Sequence, residues 1–377
     1  MRRAVCFIFA AAVMLLSGFP AFALDETPDT AQITERLYHE SGADRLESSL
    51  PEDARRFLES SGFTGFTPNG VSNVDVQRVL SSLGKIIRQN TIEPFRVLVG
   101  IFGIVLLSAA LRTVGTGGSS DGVLSLVTSL CTISVIAPPV LGLTSDLADT
   151  ITVSGNFMLL YVPVISGLIV ASGAAASGYM YCGVMVFVSN AVMQIASMAV
   201  VPLLKCLMSL SLVSSACISV KLGGLTELFR KASRFVLTFC MSLFAAFLTM
   251  RSIVAAAADS LTNRAVKFAV SSFVPLVGGA LSEAYQTVIS CVSILKAGVG
   301  AAAIAAVFAM FIPAAVRCLI WQSVTSLGAA MCGIFGLDKA ESLLVSLSNV
   351  VSVMFAVLMC TMVIYMISTA VIIIAGG

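Results

Sequence analysis

The sequence has few charged residues and almost no histidine. Lys, Arg, Asp and Glu together make up 11% of its 377 residues, and His39 is the single histidine, whereas soluble domains carry about 25% charged residues. So little histidine argues against Ser-His-Asp catalysis and against histidine-based metal sites. The formal net charge of +2 offers no basic excess for a phosphate backbone, so no nucleic-acid partner is expected.

Hydrophobic residues dominate the chain instead. They make up 58% of the sequence, with a mean hydropathy of +0.99, against about 45–50% apolar residues in soluble domains. A water-soluble fold of this size has too little interior to bury such an excess. The sequence therefore predicts an all-α, polytopic helical membrane protein whose first partner is the lipid bilayer.

The first 23 residues have the pattern of a secretory signal peptide. Arg2 and Arg3 form a basic start, residues 4–16 are an uncharged apolar run, and Ala21-Phe22-Ala23 is a small-residue cleavage signal. The alternative, an uncleaved first membrane helix, is disfavoured because the run is shorter than the roughly 20 residues that span a bilayer. We therefore expect cleavage after Ala23 and an exported mature N-terminus.

A short acidic segment follows the signal peptide. Residues 24–94 hold seven Lys or Arg and twelve Asp or Glu. Pro51 is typical of a helix start, Gly62 of a helix end, and residues 63–70 are rich in turn formers. With so few large apolar side chains, this exported helical segment has a marginal core of its own. It is predicted to pack against membrane helices or a partner protein.

Residues 95–377 are predicted to form a polytopic transmembrane domain of about eight to nine helices. A small-residue turn at 172–178 divides the longest uncharged stretch. The windows free of charge, or nearly so, are 97–111, 122–144, two within 150–204, 206–220, 235–258, 297–316, 318–337 and 343–374.

The positive-inside rule orients these spans. With an exported N-terminus, nine spans place the basic cluster 221–234 in the cytoplasm. The same count predicts Arg112 and Arg317 inside, and Asp146 and Asp149 outside.

The segment 266–296 fits neither a loop nor a regular span. Pro275, Gly278 and Gly279 interrupt it, and Glu283 divides it into two short apolar halves. We predict a re-entrant or interfacial hairpin, with an ordinary kinked span as the alternative. Ionisable residues at membrane depth often mark functional paths, so Glu283 and Lys296 join the proline and the two glycines as candidate functional residues. An interfacial position is the simpler explanation of both charges.

No motif for catalysis or for cofactor binding is found. Nine of the ten cysteines lie between 131 and 360, without a C-x-x-C pair, and are expected to act as small buried hydrophobic residues. A Walker-type phosphate-binding loop is absent from the sequence. We therefore expect a protein without enzymatic activity, cofactor or bound metal.

Residues 271–300, SSFVPLVGGALSEAYQTVISCVSILKAGVG, resemble the stage III sporulation protein AE family. The arrangement of signal peptide, exported helical segment and polytopic remainder is similar over essentially the full chain. The resemblance implies a role in endospore formation, in the mother-cell membrane around the forespore. It also implies membership of a channel, or feeding-tube, apparatus that sustains late forespore gene expression.

The partners implied by this resemblance are other stage III sporulation membrane proteins, and we expect a cytoplasmic ATPase of the same apparatus. The alternative function is a stand-alone membrane transporter or permease. Such a protein favours internal repeats with paired broken helices, and no repeat is evident here. A membrane-embedded enzyme is disfavoured because the chain lacks the residues for one.

Overall fold

The regular elements of the computed structural model are all helices within the part of the chain that it describes. The described residues are 28–67, 70, 76–114, 120–216, 278–374 and the helical positions 224, 227–229, 231–233, 235–236, 238–239, 242, 244 and 246. The main helices are α1 (Pro28–Glu40), α2 (Asp44–Ser48), α3 (Glu52–Ser60), α4 (Val76–Val114), α5 (Ser120–Ala171), α6 (Ala175–Ile195), α7 (Val201–Ala216), α8 (Gly278–Ile334) and α9 (Asp338–Ile374). The predicted signal peptide lies outside the described residues.

Helices α1 to α3 belong to the acidic segment, and α3 begins and ends as the sequence predicts. Pro51 is the residue before its first turn, where a proline loses no helical hydrogen bond. The chain leaves α3 through Gly62, whose φ of 94° suits a residue without a Cβ. We call residues 28–67 the N-terminal segment.

Helix α4 belongs to both the acidic part and the predicted membrane part of the sequence. It runs through Pro94, at the predicted boundary between the two parts. Proline has no N–H for the carbonyl of Asn90, yet the flanking turns continue the helix. The first half of α4 is amphipathic and charged, and the second half is apolar.

The predicted break between residues 144 and 150 is wrong, because α5 is one helix of 52 residues, about 78 Å long. The sequence predicts the edge of a span at its charged residues Asp146 and Asp149. A carboxylate is compatible with helical backbone, however, and here one of the two is paired with a basic residue of another helix.

The turn predicted at 172–178 is confirmed, and it is shorter than expected. Only residues 172–174 leave the helix before α6 begins, with Gly173 at a φ of 90°. A π-helical turn, Ala196–Val200, connects α6 directly to α7. The break expected between 204 and 206 is therefore wrong, since the chain continues as helix past Lys205.

Helix α8 contains 57 residues, about 85 Å, and joins two spans that were predicted to be separate, 297–316 and 318–337. It also runs through Glu283, so the predicted division at that residue is wrong: glutamate is a good helix former. Residues 266–277 lie outside the described part, and a re-entrant position of the whole segment stays a prediction.

Helix α8 is the centre of the bundle. It contacts α1, α3, α4, α5 and α9, and every side chain from 302 to 312 is buried. A three-residue turn with Gly336 at a φ of 65° leads into α9, which packs along α8.

Five helices of the described chain are long and apolar enough to cross a membrane. They span Gln77–Thr113, Gly122–Ala171, Ala175–Ser214, Thr287–Ile334 and Asp338–Ala370. The predicted all-α membrane architecture is confirmed at this level. The count of eight to nine spans is not, because single helices replace several predicted pairs.

Candidate functional site

The residues predicted from the sequence to be functional lie on or just before α8. Pro275 is outside the described residues, whereas Gly278 and Gly279 are the first described positions of the helix. Glu283 and Lys296 follow on the same helix, 13 positions apart, which corresponds to about 20 Å along its axis. The helix therefore keeps the two residues apart along its axis, and a joint role of these residues stays a prediction.

Lys296 is a core residue. Its side chain is 2% exposed, and it has an interaction partner. An ammonium group can be buried at tolerable cost only when it is paired or hydrogen-bonded. Its position among apolar neighbours of α8 favours a structural role in helix packing over the interfacial position considered from the sequence.

Sequence reasoning missed a polar contact that joins three helices. The Arg317 guanidinium on α8 is paired with the Asp146 carboxylate on α5 through its Nη1 atom. Its Nε atom donates to Oδ1 of Asn90 on α4, at 3.3 Å. Both charged side chains are 38% exposed, so the pair is partly hydrated. We call Asn90, Asp146 and Arg317 the polar junction.

The polar junction corrects the predicted topology. Nine spans placed Arg317 in the cytoplasm and Asp146 outside, whereas the two side chains are in contact. Opposite charges that interrupt two apolar runs attract one another more strongly than in bulk water, because the surrounding dielectric constant is lower. The signal available in the sequence was one arginine and one aspartate, each between two uncharged windows.

A second polar contact lies at the other end of the same helices. Arg112 Nη1 on α4 donates to the backbone carbonyl of Gly336, at 2.7 Å. This carbonyl follows the end of α8, where helical partners are lacking. Ser108 and Thr128 share a hydrogen bond of 2.7 Å between α4 and α5 in the same region.

An aromatic row docks the N-terminal segment on the bundle. Phe63 meets Phe66 edge to face at 5.6 Å between ring centroids, and Phe66 lies 6.2 Å from Phe157 on α5. Phe157 in turn stacks on Tyr161 at 6.1 Å. Phe66 is fully buried, so docking shields its ring from water, which confirms the prediction that this segment packs against membrane-domain helices.

Two buried tyrosine hydroxyls have no hydrogen-bond partner among the described residues. They belong to Tyr161 on α5 and Tyr365 on α9, both at 0% exposure. Gly155 provides room beside the second one, since a Cβ there would lie 3.3 Å from the Tyr365 hydroxyl and would collide with Met193. Orphaned buried hydroxyls are rare in folded proteins, and here they sit in closely packed parts of the bundle.

The polar side chains of the two polar contacts described above form hydrogen bonds and an ion pair between helices, and they are not arranged for covalent chemistry. No three His, Cys, Asp or Glu side chains in the described part of the chain are grouped closely enough to hold a metal ion. The charged groups instead link one helix to another. The arrangement is suited to holding long helices in register.

Comparison with known proteins identifies the chain's relatives. The family described as Stage III sporulation protein AE matches residues 60–376. Stage III sporulation protein AE of Bacillus subtilis (strain 168) is 28% identical over 229 residues, which cover 61% of this chain and 57% of the relative. The aligned region thus spans little more than half of that protein. No solved structure matches the chain significantly. Because the family match covers most of the sequence, the chain belongs to the Stage III sporulation protein AE family.

Proposed function

We propose that this protein is a non-enzymatic membrane subunit of a multi-protein channel between the mother cell and the forespore. The observation that carries the proposal is the family match over residues 60–376, which ties the chain to sporulation. The five apolar helices support residence in a membrane. We place the protein in the mother-cell membrane that surrounds the forespore.

The docked N-terminal segment supports a role in assembly. Its charged residues, among them Glu52, Asp53 and Arg56, are exposed, while its aromatic residues attach it to the bundle. A rigidly held polar surface is suited to binding other proteins, because little conformational entropy is lost on association. Other stage III sporulation membrane proteins are the partners we propose for this surface.

The basic cluster within residues 221–234 is the proposed contact for a cytoplasmic ATPase. It contains Lys221, Arg230, Lys231 and Arg234 against a single acidic residue, Glu227. Lys231 is exposed. A basic surface attracts acidic partners over a distance of about 8–10 Å at physiological salt. The ATPase would supply the energy of nucleotide hydrolysis. This sequence has no phosphate-binding loop with which to hydrolyse a nucleotide itself.

Deletion of the gene in its host tests the proposal. We expect normal vegetative growth, completed engulfment, and then an arrest of sporulation with loss of late forespore transcription. Expression of the gene from a second locus should restore spores. A deletion strain that completes sporulation at the normal frequency would contradict the proposed role.

Purification separates the subunit hypothesis from the transporter alternative. An affinity-tagged chain isolated from sporulating cells should carry other sporulation membrane proteins and an ATPase, whereas the same chain expressed in vegetative cells should not. Solute uptake by liposomes that contain the purified chain alone would instead favour a stand-alone transporter.

A further inference from the structure

Two polar contacts hold α4 beside α8 at two separate levels. Asn90 accepts from Arg317 at one level, and Arg112 donates to the carbonyl of Gly336 at the other. Arg112 follows Asn90 by 22 positions and Gly336 follows Arg317 by 19, which correspond to about 33 and 28 Å along the helices. The hydrocarbon core of a bilayer is about 30 Å thick. The two contacts are therefore separated by one bilayer thickness.

The bundle between these contacts has an apolar outer surface. We call this part the apolar belt: residues 97–111 of α4, 122–144 of α5 and 318–334 of α8, none of which contains a charged residue. Large side chains of the belt that are at least half exposed include Val99, Leu107, Leu111, Val123, Val127 and Leu130. Exposed apolar surface of this kind is a site for contact with lipid or protein.

Helix α4 changes character at the level of the polar junction. Four charged side chains are exposed between residues 77 and 93, namely Arg78, Lys85, Arg88 and Glu93. Charged side chains are excluded from the centre of a bilayer, so this half of α4 lies in water. The helix enters an apolar medium within the next two turns, next to Asp146 and Arg317.

The other half of the bundle is apolar as well, and α8 forms its core. We call residues 147–171 of α5, all of α6 and residues 278–316 of α8 the distal half. A helix that is hydrophobic on all sides is a core helix when other helices surround it, and α8 is buried on every side from 302 to 312. The N-terminal segment covers this half at Phe157.

We infer that lipid acyl chains surround the apolar belt, and that the distal half of the bundle stands outside the bilayer beside the N-terminal segment. The polar junction then lies at the membrane surface, where its partial exposure to water is favourable. This inference goes beyond the proposed function, because it concerns which part of the surface meets lipid and does not require a partner protein.

The competing arrangement places the bilayer around the distal half. Helix α6 exposes Tyr179 and Phe187 there, as a lipid-facing helix would. The N-terminal segment, however, docks at Phe157 with charged side chains exposed, and that arrangement would bring these charges to hydrocarbon depth. The charged half of α4 would be brought to the same depth.

Spin labels on one helix distinguish the two arrangements. Single cysteines replace Val127, Leu130, Asn156 and Leu160, all exposed positions of α5, in a full-length chain whose native cysteines are serines. In liposomes, oxygen should relax the labels at 127 and 130 more than a water-soluble nickel complex does, and the order should reverse at 156 and 160. Lipid-like labels at 156 and 160, or labels there that neither reagent reaches, would overturn the inference.

The unmodified protein provides an independent measurement through its single tryptophan. Trp321 follows Arg317 by four positions, which places it about 6 Å inside the apolar belt. Lipids brominated near the headgroup should quench its fluorescence more than lipids brominated near the chain ends. Because Trp321 is 2% exposed, the ratio of the two quenching efficiencies carries the test rather than their size. Stronger quenching by the deep bromines than by the shallow ones would contradict the inference even if the cysteine variants fail to fold.

Discussion

Arg317 on α8 and Asp146 on α5 form an ion pair across 171 positions of sequence, and Asn90 on α4 completes the contact. Each of the three residues lies where a charged or amphipathic stretch of its helix meets an apolar one, or where two apolar stretches meet. The pair therefore fixes the register of three long helices at one level. It also explains why α5 and α8 each tolerate a charged residue between two apolar stretches.

Replacing Asp146 with asparagine should destabilise the bundle. The substitution leaves Arg317 without its carboxylate, and because both side chains are 38% exposed, water compensates for part of the loss. We expect a decrease of about 1–2 kcal/mol in the free energy of unfolding, measured by tryptophan fluorescence on heating in detergent. Asp149→Asn, at an exposed position on the same helix, is the matched control. Equal effects of the two variants would show that the ion pair does not link the helices.

Phe66→Ala should release the N-terminal segment from the bundle. The ring is fully buried, and truncation of a buried phenylalanine costs about 3–5 kcal/mol. The expected result is faster trypsin cleavage after Arg55 and Arg56 in the full-length protein. Thr64→Ala, at an exposed position of the same loop, should leave cleavage unchanged. If trypsin cleaves the Phe66→Ala variant no faster than the unaltered chain, the result would argue against docking through the aromatic row.

Gly178→Ala should disturb the packing of α6 against α5. A Cβ at this position would lie 2.9 Å from the backbone oxygen of Ser166 and 2.6 Å from a methyl group of Val170. Because the backbone cannot yield as a side chain does, we expect a loss of about 1–3 kcal/mol on thermal unfolding. Gly183→Ala on the same helix meets nothing within 4 Å and should gain about 0.5–1 kcal/mol from the better helix former. If Gly183→Ala lowers the thermal stability more than Gly178→Ala does, the result would be inconsistent with the close approach of α6 to α5 at Gly178.

Tyr161→Phe should stabilise the protein or leave its stability unchanged. The hydroxyl is buried without a hydrogen-bond partner in the described chain, and such a group costs about 1–3 kcal/mol in lost hydration. Tyr365→Phe tests the same argument on α9. A clear decrease in thermal stability in either variant would mean that its hydroxyl is hydrogen-bonded, for example to a buried water molecule.

The local features of the fold follow from the sequence. The start of α3 after Pro51, its end near Gly62 and the turn after residue 171 were all predicted, because proline and glycine determine backbone geometry within a few residues. The helical, membrane-type character of the chain follows from its hydropathy. These properties depend on neighbours along the chain and on composition.

The lengths and positions of the helices were not predictable in the same way. A window of about 20 apolar residues has the same hydropathy whether lipid or other helices surround it, so α8 was divided into two predicted spans at Arg317. Its central position depends on contacts with α1, α3, α4, α5 and α9, which no local pattern encodes. The polar junction was missed for the same reason, since its members are far apart in sequence.

The central position of α8 has a consequence for the order of events during synthesis. Four of the helices that it contacts, α1, α3, α4 and α5, are complete by Ala171, whereas α8 ends only at Ile334. At about 5–20 residues per second, the ribosome takes roughly 8–33 s to cover the interval. During that time these four helices lack a partner against which they pack in the finished bundle. Final assembly of the bundle therefore waits for the synthesis of α8, and a chain truncated before α8 would leave the faces that pack against it open to chaperones and proteases.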